Sequence, residues 1–229
     1  MHHFGCVVPS YEACELISQV AFLDDAPAMN KNDTMQKQKP EPKKKPRTIL
    51  DIGSGNGYWT YILRRHHKTR PPHPAPEPLE VIAVDSGRSR YRTQWIPDTR
   101  QADGAAFIQS RGGGAQDDIL LLVYPITGQN FTERVIRAYR GEWVIVVGTQ
   151  CRNGYTAFKD CLIDEWMSTE TDAEGKGWEK VAQVPMPSFP GKDEAMFIFR
   201  RVAKEALGDN AGDEGGDEGG GSDCGVVAD

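Results

Sequence analysis

The sequence has few apolar residues for its length and no long apolar run. Hydrophobic residues make up 38% of the 229 residues, against roughly 45–50% in typical soluble domains. No run approaches the ~18 apolar residues that a membrane-spanning helix needs. The first residues, Met1–Gly5, also lack the basic-then-apolar order of a secretory signal. We therefore expect neither a membrane span nor classical secretion, and we predict a cytoplasmic protein.

Cysteine and histidine are scarce, and neither occurs in a spacing that indicates a bound metal. The five cysteines are Cys6, Cys14, Cys151, Cys161 and Cys224. Their number is odd, and no two of them form a Cys-x-x-Cys pair. The histidines share no ligand-like register with them; they are His2, His3, His66, His67 and His73. We expect free thiols in a reducing compartment and no metal site.

A basic excess is also lacking outside one short run. Residues 205–229 carry eight acids and no base, so a net charge of −6 for the whole chain leaves +2 for residues 1–204. A nearly neutral body offers no electrostatic reason to bind nucleic acid, which we predict is not a partner. The run KKKPR at 43–47 resembles a nuclear-import signal, so a nuclear location is the alternative.

Three stretches lack the apolar pattern of a folded element. Residues 24–47 are rich in Lys, Gln, Pro and Asn, and residues 204–229 are acidic and rich in glycine. Residues 64–78 contain five prolines, which is incompatible with a continuing helix. We predict a disordered basic linker at 24–47, a folded domain at 48–203 with a Pro-rich insertion at 64–78, and a disordered tail at 204–229.

Strand patterns alternate with helix patterns between these stretches. Strands are predicted at 48–52, 80–85, 100–103, 118–124, 142–149, 178–184 and 195–202, and helices at 57–65, 104–110, 131–139 (with Asn130 as N-cap) and 156–167. Strands 118–124 and 142–149 are apolar on both faces, which is typical of a parallel sheet covered on both sides. The last two strands are joined without a helix, so they must be antiparallel. The sequence therefore predicts an α/β fold with one reversed strand near its C-terminus.

A glycine loop stands between the first predicted strand and the helix that follows it. It reads Asp51-Ile52-Gly53-Ser54-Gly55-Asn56-Gly57. Glycines allow a sharp turn and a close approach of ligand to backbone, and the amides of the next helix favour an anionic group. Tyr58 stands where a dinucleotide-binding loop needs glycine, and no Gly-Lys-Ser/Thr follows, so a dehydrogenase and a P-loop enzyme are both disfavoured.

This loop, with an acid two residues before its first glycine, resembles motif I of the class I S-adenosylmethionine-dependent methyltransferases. The resemblance covers roughly residues 48–202 and implies a Rossmann-like sheet with S-adenosylmethionine as the cofactor. It implies these cofactor-binding residues: Asp51, Gly53, Ser54, Gly55, Gly57, Asp85 and Asp103. Asp85 would accept both ribose hydroxyls, and Asp103 would contact the adenine amino group. The alternatives are that Asp51 only stabilises its loop, that Asp85 is an ordinary solvated acid, and that Asp103 caps the helix at 104–110.

The methyl acceptor is expected beyond the carboxyl ends of the strands, where open parallel sheets bind their ligands. We predict Tyr124, Asn153 and Tyr155 as acceptor-binding residues. Residues 1–23 resemble the N-terminal lid of small methyltransferases, which adds Tyr11. Further candidates are Pro125, Ile126, Thr149, Gln150 and Arg152. No catalytic residue is predicted, because positioning and exclusion of water can supply much of the rate of a displacement at a sulfonium methyl group.

One departure from the family narrows the range of possible methyl acceptors. Members that methylate amino groups of nucleobases or glutamine carry Asn/Asp-Pro-Pro-Tyr/Phe after the fourth strand, where this chain has Val123-Tyr124-Pro125-Ile126. The resemblance therefore implies a methyltransferase with a small-molecule acceptor of unspecified identity. The alternatives are a cofactor-binding module without turnover, and a protein or RNA methyltransferase. The sequence does not indicate an oligomeric state.

Overall fold

The computed structural model describes residues 7–23, 45–69, 78–88, 92–188 and 192–203. Most of the predicted linker (24–44), part of the Pro-rich insertion (70–77) and the acidic tail (204–229) lie outside the described residues. The elements are α1 (Tyr11–Phe22), β1 (Ile49–Ile52), α2 (Tyr58–Thr69), β2 (Val81–Asp85), β3 (Arg100–Gln101), α3 (Gly104–Ser110), α4 (Gly112–Ala115), β4 (Ile119–Val123), α5 (Phe131–Ala138), β5 (Trp143–Thr149), α6 (Ile163–Thr169), β6 (Lys176–Pro185) and β7 (Glu194–Ala203).

The strands form one sheet in the order β3-β2-β1-β4-β5-β7-β6. Strands β1 to β5 run parallel to one another, and β7 runs antiparallel to both β5 and β6. The predicted Rossmann-like α/β fold, mostly parallel with one reversed strand near the C-terminus, is confirmed. The chain reverses its winding direction between β1 and β4, and the crevice beyond such a reversal is where open sheets of this kind bind ligands.

Helices cover both faces of the sheet, as the apolar strands predict. In β4, Leu120 and Leu122 pack with α3, α5 and α6 on one side, here called the α5 face. Ile119 and Leu121 pack with α1 and α2 on the other side, the α2 face. Successive strand residues point to opposite faces, so a strand covered on both sides must be apolar throughout. This explains why every residue of β5 is buried.

Three local predictions were wrong in whole or in part. Helix α2 runs to Thr69, beyond the predicted end at Arg65, because the first proline comes only at position 71. Asn130 occupies the predicted N-cap position of α5, but its backbone is left-handed (φ 51°) and its side chain makes no capping hydrogen bond. The helix predicted at 156–167 begins only at Ile163, because Ala157 has a φ of 60° and donates its N–H to the carbonyl oxygen of Pro125.

Within the described ranges, no helix is both long and apolar enough to span a membrane.

The buried hydroxyl of Tyr139 ties the end of α5 to the sheet. It lies 2.6 Å from the carbonyl oxygen of Asp118 and 2.8 Å from that of Trp143. We expect Tyr139→Phe to lower the free energy of unfolding by about 1–3 kcal/mol, since it removes the buried hydroxyl whose proton these two carbonyl oxygens share. Urea denaturation measures the loss. Tyr155→Phe, at an exposed tyrosine, is the control, and equal stabilities of the two variants would contradict this role.

Candidate functional site

The glycine loop between β1 and α2 has a backbone that only glycine adopts readily. Gly53, Gly55 and Gly57 have φ values of 76°, 58° and 76°, in the left-handed region that side chains disfavour. A Cβ atom on Gly57 would lie 2.4 Å from Cγ1 of Ile96. The N–H of Gly53 donates to the carbonyl oxygen of Val84 over 2.8 Å, which joins the loop to β2. The three glycines therefore determine the shape of this turn.

Asp85 ends β2 beside the loop. Its Oδ2 accepts the N–H of Gly55 over 3.0 Å, and its Oδ1 accepts the N–H of Gly87 over 2.7 Å. Each carboxylate oxygen has two lone pairs, so each can accept one more hydrogen bond. The side chain is only partly buried. The structure thus brings Asp85 to the glycine loop with capacity left for two donors.

Asp51 lies beneath the loop and is completely buried. Its Oδ2 accepts the hydroxyl of Thr60 over 2.6 Å, whereas its Oδ1 has no hydrogen-bond partner. Burial is the main cause that raises the pKa of Asp51 to about 6, and the charge of Asp85 adds to it. The hydroxyl oxygen of Ser54 is also buried without a partner. Two oxygens that the chain leaves unbonded therefore lie at the loop.

Asp103 makes the contacts of a helix cap. Its Oδ1 accepts the N–H of Ala106 over 3.1 Å, and both of its oxygens lie 3.1 Å from Nη2 of Arg134. The bond from Ala106, with that from Arg134, holds the pKa of this carboxyl below its usual range. These bonds are those of the capping alternative, and the contact with adenine stays a prediction.

Two side-chain contacts lie beside the glycine loop on the α5 face, and the sequence indicated neither of them. A Cβ atom on Gly53 would lie 3.1 Å from Cζ of Phe131, so the ring of Phe131 packs against the turn. Nη1 of Arg88 donates to the side-chain oxygen of Gln129 over 2.7 Å. The first contact joins the loop after β1 to the start of α5, and the second joins the segment after β2 to the segment before α5.

The predicted acceptor residues Tyr124 and Tyr155 are brought together by a lysine. Nζ of Lys192 donates to the hydroxyl of Tyr124 over 2.9 Å. It also lies 5.3 Å from the ring centroid of Tyr124 and 5.2 Å from that of Tyr155. Both distances are within the range of a cation–π interaction. The ends of β4 and β5 thus present two aromatic rings to one cation.

Asn153 and Tyr11 have other contacts. The side-chain oxygen of Asn153 accepts the N–H of Tyr155 over 3.0 Å and the hydroxyl of Thr149 over 3.2 Å, so it stabilises the turn after β5. The exposed ring of Tyr11 lies 5.0 Å from the ring of His66. Its described contact is therefore with α2 rather than with Tyr124. The carboxylate of Glu194, at the start of β7, is buried at the same edge of the sheet, and no sequence pattern indicates it.

Among the residues that the structure describes, no group of three or more His, Cys, Asp or Glu side chains is arranged to hold a metal ion. The absence of a metal from the reaction stays a prediction.

Asp51→Asn removes the titration of the buried carboxyl. A folded-state pKa of about 6, above the ordinary 3.8, means that the folded state binds this proton more tightly than the unfolded chain. We therefore expect the wild type to lose roughly 3 kcal/mol relative to the variant as the pH rises from about 3 to about 7, with the steepest loss between the two pKa values. Urea unfolding of both proteins across this range measures the difference, and parallel pH profiles would contradict it.

No family model and no curated protein sequence matches the chain. Solved structures do resemble it. A protein of Pyrococcus horikoshii described as a transferase has a TM-score of 0.41 and 12% identity, over 69% of this chain and 59% of its own. The trans-methyltransferase CalH, in complex with SAH, has a TM-score of 0.41 and 13% identity, over 68% of this chain and 51% of its own.

A dimethyladenosine transferase from Plasmodium falciparum has a TM-score of 0.36 and 15% identity, over 70% of this chain and 57% of its own. The chain thus spans about 51–59% of the length of the structures it resembles. These structural neighbours are transferases and methyltransferases. At such scores the fold of this protein is defined by its own strand order and strand directions.

Proposed function

We propose that this protein is an S-adenosylmethionine-dependent methyltransferase that acts on a small molecule. The observation that carries the proposal is the carboxylate of Asp85 at the left-handed glycine loop. Each of its oxygens accepts one backbone amide, from Gly55 or Gly87, and retains a lone pair. Two adjacent ribose hydroxyls match this remaining capacity, because each can donate to one oxygen.

The buried oxygens at the loop also fit such a cofactor. Oδ1 of Asp51 and the hydroxyl of Ser54 lack partners within the chain, and buried polar atoms without partners cost free energy unless a ligand or water bonds to them. Asp51 also places a carboxylate behind the loop. Above its pKa of about 6 the negative charge favours a cationic ligand nearby.

When bound, S-adenosylmethionine supplies a methyl group on a positively charged sulfur. The residues of this chain have the tasks of binding, orientation and exclusion of water. The glycine loop lets the ligand lie against the backbone, and Asp85 orients the sugar. Tyr124 and Tyr155, which follow β4 and β5, border the place where the acceptor would approach. Such positioning accelerates a displacement without a catalytic triad.

Substitutions at the loop test the cofactor site. We expect Gly55→Asp to abolish binding of S-adenosylhomocysteine, because its side chain fills the space of the ligand and repels the carboxylate of the amino acid moiety. We expect Asp85→Ala to weaken binding by about 1–3 kcal/mol, the cost of unpaired hydrogen-bonding groups. Isothermal titration calorimetry measures both effects.

Asp98→Ala is the matched control, because Asp98 lies before β3 and pairs with Arg64 over 2.9 Å, outside the loop. We expect this variant to bind S-adenosylhomocysteine as the wild type does. Circular dichroism verifies that each variant is folded. A wild-type protein that binds neither S-adenosylmethionine nor S-adenosylhomocysteine would overturn the proposal.

A further inference from the structure

Glu194 is a buried carboxylate that the chain leaves without a partner. Its residue is 1% exposed, and neither Oε1 nor Oε2 has a hydrogen-bond partner. Its backbone is fully bonded, since the N–H donates to the hydroxyl of Ser188 over 2.8 Å and the carbonyl oxygen accepts the N–H of Met186 over 2.9 Å. The side chain alone is therefore unsatisfied.

An unsatisfied buried carboxyl group lowers the stability of a protein, because it gives up water and receives no bond in return. Two methionines lie beside Glu194, and the buried Thr149 lies opposite it in β5. Met196, two residues later in β7, and Met186, opposite Glu194 in the hairpin, are both buried in the core of the α2 face. An apolar side chain would suit this position better for stability. A glutamate here therefore costs stability unless a group from outside the chain bonds to it.

Glu194 lies at the edge of the sheet that carries the candidate acceptor residues. It pairs with Thr149, the last residue of β5, and β5 in turn pairs with β4. Tyr124, just after β4, donates its N–H to the carbonyl oxygen of Val147 over 2.7 Å. Tyr124 and Glu194 are thus two strands apart, or ~10 Å between backbones. Side chains of this length can contact one small molecule placed over the end of β5.

The position of Lys192 shows that the edge of the sheet beside Tyr124 and Tyr155 accommodates a positive charge. It precedes Glu194 by two residues, yet its ammonium group reaches across β5 to the hydroxyl of Tyr124. There it lies over the rings of both Tyr124 and Tyr155. The two rings therefore already bind a primary ammonium group in this structure, and the faces of aromatic rings attract cations in general.

We propose that Tyr124, Tyr155 and Glu194 form the binding site for the cationic nitrogen of an amine acceptor. The two rings hold the ammonium group, and Glu194 accepts a hydrogen bond from its N–H. This inference rests on the proposed function, since it specifies the acceptor of that enzyme.

Lys192 competes with the acceptor in this arrangement, because its ammonium group occupies the same two rings. Its removal should then strengthen the binding of an amine. If the site instead bound an anionic acceptor, the loss of Lys192 would weaken binding. The effect of Lys192→Met on binding thus distinguishes a cationic acceptor from an anionic one.

Binding of a simple amine in the absence of cofactor tests the site. The probe is n-butylammonium, with the neutral n-butanol as its counterpart, and saturation-transfer NMR measures both. We expect the wild type to bind the ammonium ion, Glu194→Gln to weaken it about tenfold or more, and Lys192→Met to tighten it. Glu179→Gln, at an exposed glutamate of β6, should have no effect. Equal binding of amine and alcohol, or full binding by Glu194→Gln, would overturn the proposal.

The stability of Glu194→Met gives an independent readout. If Glu194 serves a ligand, the apolar side chain should raise Tm by a few degrees and abolish n-butylammonium binding. A lower Tm would show that Glu194 has a structural role and would contradict the proposal. Titration of the wild type with S-adenosylhomocysteine distinguishes failure of the proposed methyltransferase function from failure of the proposed amine site. Amine binding without cofactor binding would overturn only the methyltransferase, and cofactor binding without amine binding only the amine site.

Discussion

Two backbone amides converge on the carboxylate of Asp85, and this contact joins the ends of the first two strands. The amide of Gly55 comes from the loop after β1, and that of Gly87 from the turn after β2. The loop that carries Gly55 has a left-handed backbone at its three glycines. The buried Asp51 lies below this loop, bonded to Thr60, and the ring of Phe131 packs beside it.

Five described residues carry buried side-chain oxygens without a hydrogen-bond partner, and four of them lie near one edge of the sheet. Asp51 and Ser54 lie at the end of β1, Thr132 lies at the start of α5, and Glu194 lies opposite the end of β5, whereas Thr99 precedes β3. The two cores that cover the sheet are otherwise built from apolar side chains. Proteins keep such costly groups mainly where a ligand compensates them. The carboxyl ends of the parallel strands therefore carry groups that lower stability unless a ligand bonds to them.

The proposed cofactor and acceptor sites are independent in their physical basis. The cofactor site depends on backbone geometry and on one strand-end carboxylate, both of which belong to β1 and β2. The amine site depends on side chains that follow β4 and β5 and on the first residue of β7. The sheet brings them to the same edge, because the carboxyl ends of parallel strands coincide there and the reversed strand β7 begins there.

Local patterns in the sequence were sufficient to predict the layers of the fold, the reversed strand and the glycine loop. Apolar residues on both faces of β4 and β5 require a covered sheet, and a strand end with a nearby glycine turn is visible as a motif. Boundaries that depend on distant contacts were not predictable. Thr156 and Ala157 resemble the start of a helix, but the hydroxyl of Thr156 accepts the N–H of Thr149 and the amide of Ala157 is bonded to Pro125.

The chain by itself determined where the glycine loop turns and which strands are apolar on both faces, because these properties depend on neighbours a few positions away. Only the tertiary structure decided that Asp103 caps a helix and bonds to Arg134. It also decided that Lys192 lies between two tyrosines and that Glu194 is buried without a partner. The cap itself spans only three residues, but the contacts of Asp103 with Arg134 and of Lys192 with the tyrosines join segments distant in sequence, and the burial of Glu194 depends on the packed sheet.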